Sequence, residues 1–163
     1  MVARADPHRA PAAGSSTQPS VPISSPAGYS GTPLHRKLGI APGHRVLAWP
    51  IPDGFPLAAL NPDGAATILR RPPSRGSGGY DVTLLFCPDL AAMHRRLPAA
   101  MEATTTAGRC WVAWPKRTSG VPTDLTENDV RHAALAVGWV DVKVCAVDAV
   151  WSALCLVRRR ENR

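Results

Sequence analysis

An α/β fold, a single three-layer domain whose mostly parallel sheet ends in an antiparallel hairpin, is predicted by three observations. Strand-like runs alternate with helix-like runs through most of the chain. The run YDVTLLFC, Tyr80–Cys87, is almost continuously apolar, as a strand covered on both faces must be. The last two runs, Val140–Val147 and Val150–Val157, are separated only by a tight turn at Asp148-Ala149.

The 163 residues suffice for one domain, and a hydrophobic content of 45% suffices for its core. Residues 1–27 are rich in Pro, Ala and Ser without apolar periodicity, so they are predicted to be a disordered leader. Residues 28–158 then form the domain, and 159–163 a basic tail. No apolar run follows Arg4 to make a secretory signal, and no segment reaches the about 20 apolar residues of a membrane helix. A cytoplasmic location is expected, with no membrane contact.

The elements follow in order. Pro33 opens a short helix over Pro33–Leu38 that Gly39 ends. Arg45–Trp49 is the first strand, closed by Pro50 and Pro52. Phe55–Leu60 forms a short helix that stops at Asn61-Pro62, and Ala66–Arg70 is a second strand. RPPSRGSGG, 71–79, is a basic loop before the apolar strand. Leu90, Met93, His94, Leu97 and Met101 recur at helical spacing, with Pro98 predicted to kink or restart that helix. Arg109–Trp114 is a strand closed by Pro115. Thr126 reads as the N-cap of a helix with Asp129 three residues on, and Leu125 and Val130 as its hydrophobic staple. Val130, Ala133, Ala134 and Val137 give its apolar stripe, and Gly138 its end. The order, with its closing hairpin, matches the methyltransferase-like variant of the Rossmann-like, doubly wound fold. A flavodoxin-like or irregular α/β arrangement is the alternative.

Of the formal charge of +7, only +3 belongs to residues 28–157; the rest sits on the two tails. Those tails serve either solubility or nonspecific attraction to nucleic acid. Cys87, Cys110, Cys145 and Cys155 form no C-x-x-C pair and lie in apolar runs, so they read as buried thiols. A two-residue hairpin turn would set position 145 opposite 152 and send Cys155 to the other face, against a disulfide between them.

Ligands of open α/β sheets bind beyond the carboxyl ends of the strands. The most distinctive such end is WVAWPKRTSG, where an aromatic strand runs through Pro115 into a basic, hydroxyl-rich loop. Lys116 and Arg117, with Arg70, Arg71 and Arg75, are predicted to converge on one rim. Ser119, Gly120 and Thr118 would add hydroxyl and backbone donors for a phosphate or carboxylate. Trp114 is the candidate pocket wall and Asp124 a capping or orienting carboxylate. The plain alternative is a solvated loop. S-adenosylmethionine needs a glycine-rich turn after the first strand and an acid after the second; WPIPDGFP has one glycine, and the second strand ends in Arg70-Arg71. No cofactor is therefore expected, no G-x-G-x-x-G is present, and His35, His44, His94 and His132 show no metal-ligand spacing.

The stretches GYSGTPLHRKLGI, PGHRV, YDVTLLF, WVAWPKRTSGVPTDLTENDVR and GWVDVKVCAVDAVWSALCLVRR together resemble a bacterial family classed as domain of unknown function 3052. The likeness spans roughly 28–160. Its most specific part matches Trp114, Pro115, Lys116, Ser119, Gly120, Val121, Thr123, Asp124 and Leu125. The resemblance implies one cytoplasmic α/β domain centred on the 114–125 loop, and carries over no catalytic residue. The expected function is a non-catalytic or degenerate module that binds a small anion or a protein partner through Trp114, Lys116, Arg117, Ser119, Gly120, Thr123 and Asp124. An enzyme acting on a phosphorylated or nucleotide-like substrate at the same rim is the alternative.

Overall fold

The computed structural model describes residues 31–76 and 79–163; the leader 1–27 lies outside them. Six strands form one sheet: β1 (Arg45–Trp49), β2 (Thr67–Leu69), β3 (Tyr80–Phe86), β4 (Thr104–Pro115), β5 (Trp139–Ala146) and β6 (Trp151–Arg158). Their spatial order is β2-β1-β3-β4-β6-β5. The first four are parallel, while β6 runs antiparallel between β4 and β5. The hairpin thus enters the sheet by its second strand and leaves β5 at the edge.

Helices α2 (Leu90–Ala103) and α3 (Glu127–Leu135) cover one face. Met93, Leu97, Met101, Val130 and Ala134 pack there against Leu85, Val112, Leu154 and Leu156 of the sheet. The short helix α1 (Leu34–Leu38) and a 3₁₀ turn at Leu57–Leu60 cover the other, over Val46, Leu84, Phe86, Trp111 and Ala153. This is why β3 is apolar at nearly every position: its alternate side chains enter two different cores. Phe86 meets Phe55 and Trp151 edge-on, with ring centroids 5.1 Å apart in each case. Trp111 is wholly buried, and its indole N–H donates to the Leu38 carbonyl at 3.0 Å, tying α1 to the sheet.

Four expectations need correction. Helix α2 runs through Pro98 without a break, because the buried residues on either side hold both halves to one core and Pro98 itself faces solvent. Strand β4 begins at Thr104, directly after α2, and its register against β3 jumps from Tyr80–Thr104 to Val82–Arg109. A bulge therefore occupies its first third. In α3 the stripe stops at Ala134: the helix ends at Leu135, and Val137 is 61% exposed. The hairpin connection is longer than two residues and sets Cys145 opposite Ala153, so Cys145 and Cys155 share a face; both belong to the α1-side core, as free thiols. The basic residues 159–163 are hydrogen-bonded to the body of the domain. Arg159 N and Asn162 Nδ2 donate to the Gly138 carbonyl at 3.0 and 3.1 Å. Arg163 Nε donates to the Arg158 carbonyl.

Burial pushes the thiols of Cys87, Cys110 and Cys155 up to about 12. They are hydrophobic fillers of the core.

The start of α3 is the capping box its sequence predicts. Thr126 N and Oγ1 both donate to Asp129 Oδ2 at 2.9 Å, and Asp129 N donates back to Thr126 Oγ1 at 3.3 Å. The backbone N–H of Thr126, then its hydroxyl, hold the Asp129 carboxyl below its ordinary value. A carboxylate with a lowered folded-state pKa contributes stability above its unfolded pKa of about 3.9 and loses it as pH falls through the folded value. Carbon-detected NMR titration is expected to find Asp129 titrating below the ordinary aspartate value. Thr126→Ala should bring it back toward that value.

Candidate functional site at the carboxyl rim

The carboxyl ends of β1, β2, β3 and β4 lie along one rim of the sheet. Strand β4 is interior to the sheet, between β3 and β6, and its exit delivers residue 116 to the end of that rim, beside the start of the antiparallel β6. Lys116 N donates to the Val150 carbonyl at 2.7 Å, which anchors the exit to the β5–β6 connection. A 3₁₀ turn, Arg117–Ser119, follows and ends at Gly120, whose φ of 77° is natural only to glycine.

Most of the predicted binding residues are engaged in shaping this segment. Ser119 Oγ donates to the Lys116 carbonyl at 2.6 Å and accepts from Val121 N at 3.1 Å. Thr123 Oγ1 accepts from Leu125 N at 3.1 Å. Asp124 Oδ1 accepts from Leu90 N at 2.8 Å, and so pins the loop to the first turn of α2, beside the N-cap Asp89. The carboxylate satisfies an N–H that α2 itself cannot. Asp124→Ala is expected to cost about 1 kcal/mol in urea denaturation, with Asp124→Asn recovering part of it.

Three of the seven residues remain together. Trp114, Lys116 and Arg117 line an open cavity of about 450 Å³ with Thr118, Val144, Cys145, Ala146 and Ser152. No carboxylate and no imidazole lines it. Burial raises the Cys145 thiol, while Lys37, Lys143 and Lys116 oppose that rise. Neither Lys116 nor Arg117 has an acidic partner among the described residues.

The predicted convergence of five basic side chains does not form. Arg70 and Arg71 line a separate groove of about 770 Å³ at the exits of β1 and β2. Since β1 and β3 stand between β2 and β4, the exits of β2 and β4 are three strand spacings apart, about 14 Å. Arg75 lines a third cavity, with Thr104 and Arg158, at the amino end of β4. Sequence reasoning missed this separation because neighbouring positions in a sheet are set by crossover connections, which local patterns do not encode. Among the described residues no group of three or more His, Cys, Asp or Glu side chains is placed to hold a metal ion. No helix among them is long and apolar enough to cross a membrane.

Solved structures resemble this architecture. A TehB-like S-adenosylmethionine-dependent methyltransferase from Corynebacterium glutamicum matches with a TM-score of 0.51 and 12% identity, over 82% of this chain and 91% of that one. An O-methyltransferase from neocarzinostatin biosynthesis, solved with S-adenosylmethionine and 2-hydroxy-5-methyl naphthoic acid, matches with a TM-score of 0.52 and 14% identity. The match covers 71% of this chain and 49% of that one, so the chain spans about half of that enzyme. The fold is the methyltransferase-like Rossmann fold. At these identities the likeness concerns fold alone. No protein-family model matches the chain. No curated protein matches it in sequence.

The residues of this rim do not fit S-adenosylmethionine. The β1 exit, with a cis Trp49–Pro50 bond, carries prolines at 50, 52 and 56, which have no N–H to offer a ligand. That turn has a single glycine, Gly54, in place of a glycine-rich run. Where an acid would hold the ribose hydroxyls stand Arg70 and Arg71, whose charge repels a sulfonium cation.

Proposed function

We propose that the protein is a degenerate, non-catalytic module on a methyltransferase-like scaffold that binds a small anion at the exit of β4. The observation that carries this reading is the cavity beside Trp114. Lys116 and Arg117 meet the hydroxyls of Thr118 and Ser152 there with no carboxylate in the lining. Charge-assisted hydrogen bonds from ammonium and guanidinium groups suit a phosphate or carboxylate. Acid–base catalysis requires a positioned proton carrier near the reacting atoms, and the lining offers neither a histidine nor an acid. The stretches quoted above support membership of the bacterial domain of unknown function 3052 family. A cytoplasmic protein whose partner is a small anion follows from the same reading.

Thermal-shift titration with inorganic phosphate and with short dicarboxylates tests it. A ligand selective for the folded state at about 100 times its Kd adds about 2.7 kcal/mol of apparent stability. The expected result is a rise in melting temperature that Lys116→Ala/Arg117→Ala removes, and that Arg70→Ala/Arg71→Ala leaves in place. Turnover of a methyl donor, or an anion response indifferent to Lys116 and Arg117, would overturn it.

A further inference from the structure

We infer that the groove between α2 and α3 is the interface of a symmetric dimer, and that its occupant is a second copy of this chain. The groove encloses about 440 Å³. Leu97, Met101 and Trp139, all buried in the core on that face of the sheet, make its floor. Pro98, Ala136 and Val137 stand exposed at its rim. Its lining holds one titratable side chain, His94, and no other charge. Val137 is the most exposed large hydrophobic side chain among the described residues, and it borders this hollow. A two-fold contact needs both features on one face, because each copy must supply the projection and the recess. The small side chains of Ala133 and Ala136 leave room for helices to approach closely.

Charge points to a second copy as the occupant. Both helices start at the carboxyl rim, where Asp124 Oδ1 ties the entry of α3 to Leu90 N of α2. Both end toward Trp139, which pairs with Arg158 at the last position of β6. The first end carries Asp89, Glu127 and Asp129. Arg95 stands near them with the opposite sign, and Arg131 is taken up by Glu127 and Asp141. Arg96 lies on the opposite side of α2, bonded to the Phe86 carbonyl. The second end carries Arg158, stacked on the Trp139 ring, and Arg159, Arg160 and Arg163, against Glu102 and Glu161. Bonds to the Gly138 carbonyl hold that basic segment in place. One end is net acidic and the other net basic. A two-fold axis through the middle of the groove reverses the helices of the second copy and lays the acids of each over the arginines of the other. A partner helix of uniform charge would instead meet its own sign at one end. The same axis occupies the groove of both copies, so assembly closes at two.

Sedimentation equilibrium of the full chain up to about 200 µM tests this. A face two helices wide is small for a stable dimer, so a monomer–dimer equilibrium with a Kd on the order of 10 µM is expected. Raising salt from about 50 mM to about 500 mM should weaken it at least about fivefold, because the paired ends are exposed. Val137→Glu should weaken it at least about tenfold by placing an unpaired charge in the apolar contact. Ala136→Arg should do the same, and Arg159→Glu/Arg160→Glu should weaken it chiefly at low salt. Residues 136, 137 and 160 are exposed, so unaltered melting curves at a concentration where the chain is monomeric would show the variants folded. Val144→Lys, on the edge strand β5, should leave the dimer in place. The inference is overturned by a chain that stays monomeric at about 200 µM, whatever other apolar ligand the groove takes. It is equally overturned by a dimer indifferent to Val137→Glu and Ala136→Arg, by one that Val144→Lys dissociates, by one insensitive to salt, or by assembly beyond two copies.

Discussion

Trp111→Ala is expected to destabilise the protein by about 3–5 kcal/mol, the cost of emptying a large, fully enclosed site. Trp111 is the largest of the fully buried side chains, and it stands on the strand that carries both the interior of the sheet and the candidate site. Its loss acts in three places. The ring packs among Leu38, Val82, Leu84 and Ala153 in the α1-side core, where no small residue can close the gap. Its N–H is the donor to the Leu38 carbonyl at the end of α1. Its outer surface carries Lys143 Nζ, 5.7 Å from the ring centroid, across the hairpin. Trp111→Phe separates these effects: it keeps most of the packing but leaves the carbonyl without its donor, at about 1–3 kcal/mol. Urea denaturation of the two variants checks the order. Equal costs would mean that the hydrogen bond, which both variants lose, accounts for the whole effect and the packing of the ring for none of it.

Gly108→Ala is expected to cost about 1–3 kcal/mol, although it adds a single methyl group. The bulge at the start of β4 folds the chain back on itself at this point. A Cβ on residue 108 would lie 2.7 Å from Thr105 Oγ1, 2.8 Å from Thr104 Cγ2 and 2.9 Å from the Asp81 carbonyl oxygen. Two of these neighbours cannot yield easily. Asp81 O is backbone, and Thr104 is 2% exposed, with its hydroxyl bonded to Thr83 Oγ1 and to the Ala100 carbonyl at 2.9 and 2.8 Å. Ala107→Val is the control, because that neighbouring residue is exposed; its change should stay within about 0.5 kcal/mol. A neutral Gly108→Ala would show that the bulge relaxes freely.

The local parts of the fold are legible in the sequence. Strand β1 has the predicted bounds because Pro50 cannot continue a ladder. The capping box of α3 is written in Thr126 and Asp129, and the structure closes it on both sides. What escaped was set by contacts distant in sequence. Nothing near Thr104 announces that β4 starts there, since its first residues pair with β3 across a bulge. The docking of 159–163 depends on a carbonyl at Gly138, more than twenty positions earlier.

The site was legible only in part for a chemical reason. Hydroxyls and carboxylates that cap backbone amides are the same groups that hold anions, and in a sequence the two uses look alike. Ser119, Thr123 and Asp124 went to the amides of their own loop and of α2. Lys116 and Arg117, which have no acceptor to give the backbone, remained for the cavity.

Strand β5 has a consequence for the protein in company. It is the last strand of the sheet, with Val142 and Val144 more than half exposed, and a bare, straight border of that kind invites stacking into fibres. Here an irregularity between Asp141 and Lys143 breaks the spacing of its outward amides, and a lysine sits at the break. A neighbouring molecule approaching along that border finds an uneven comb with a charge in the middle. Crowded solutions of this chain should therefore stay dispersed where a smooth border would polymerise.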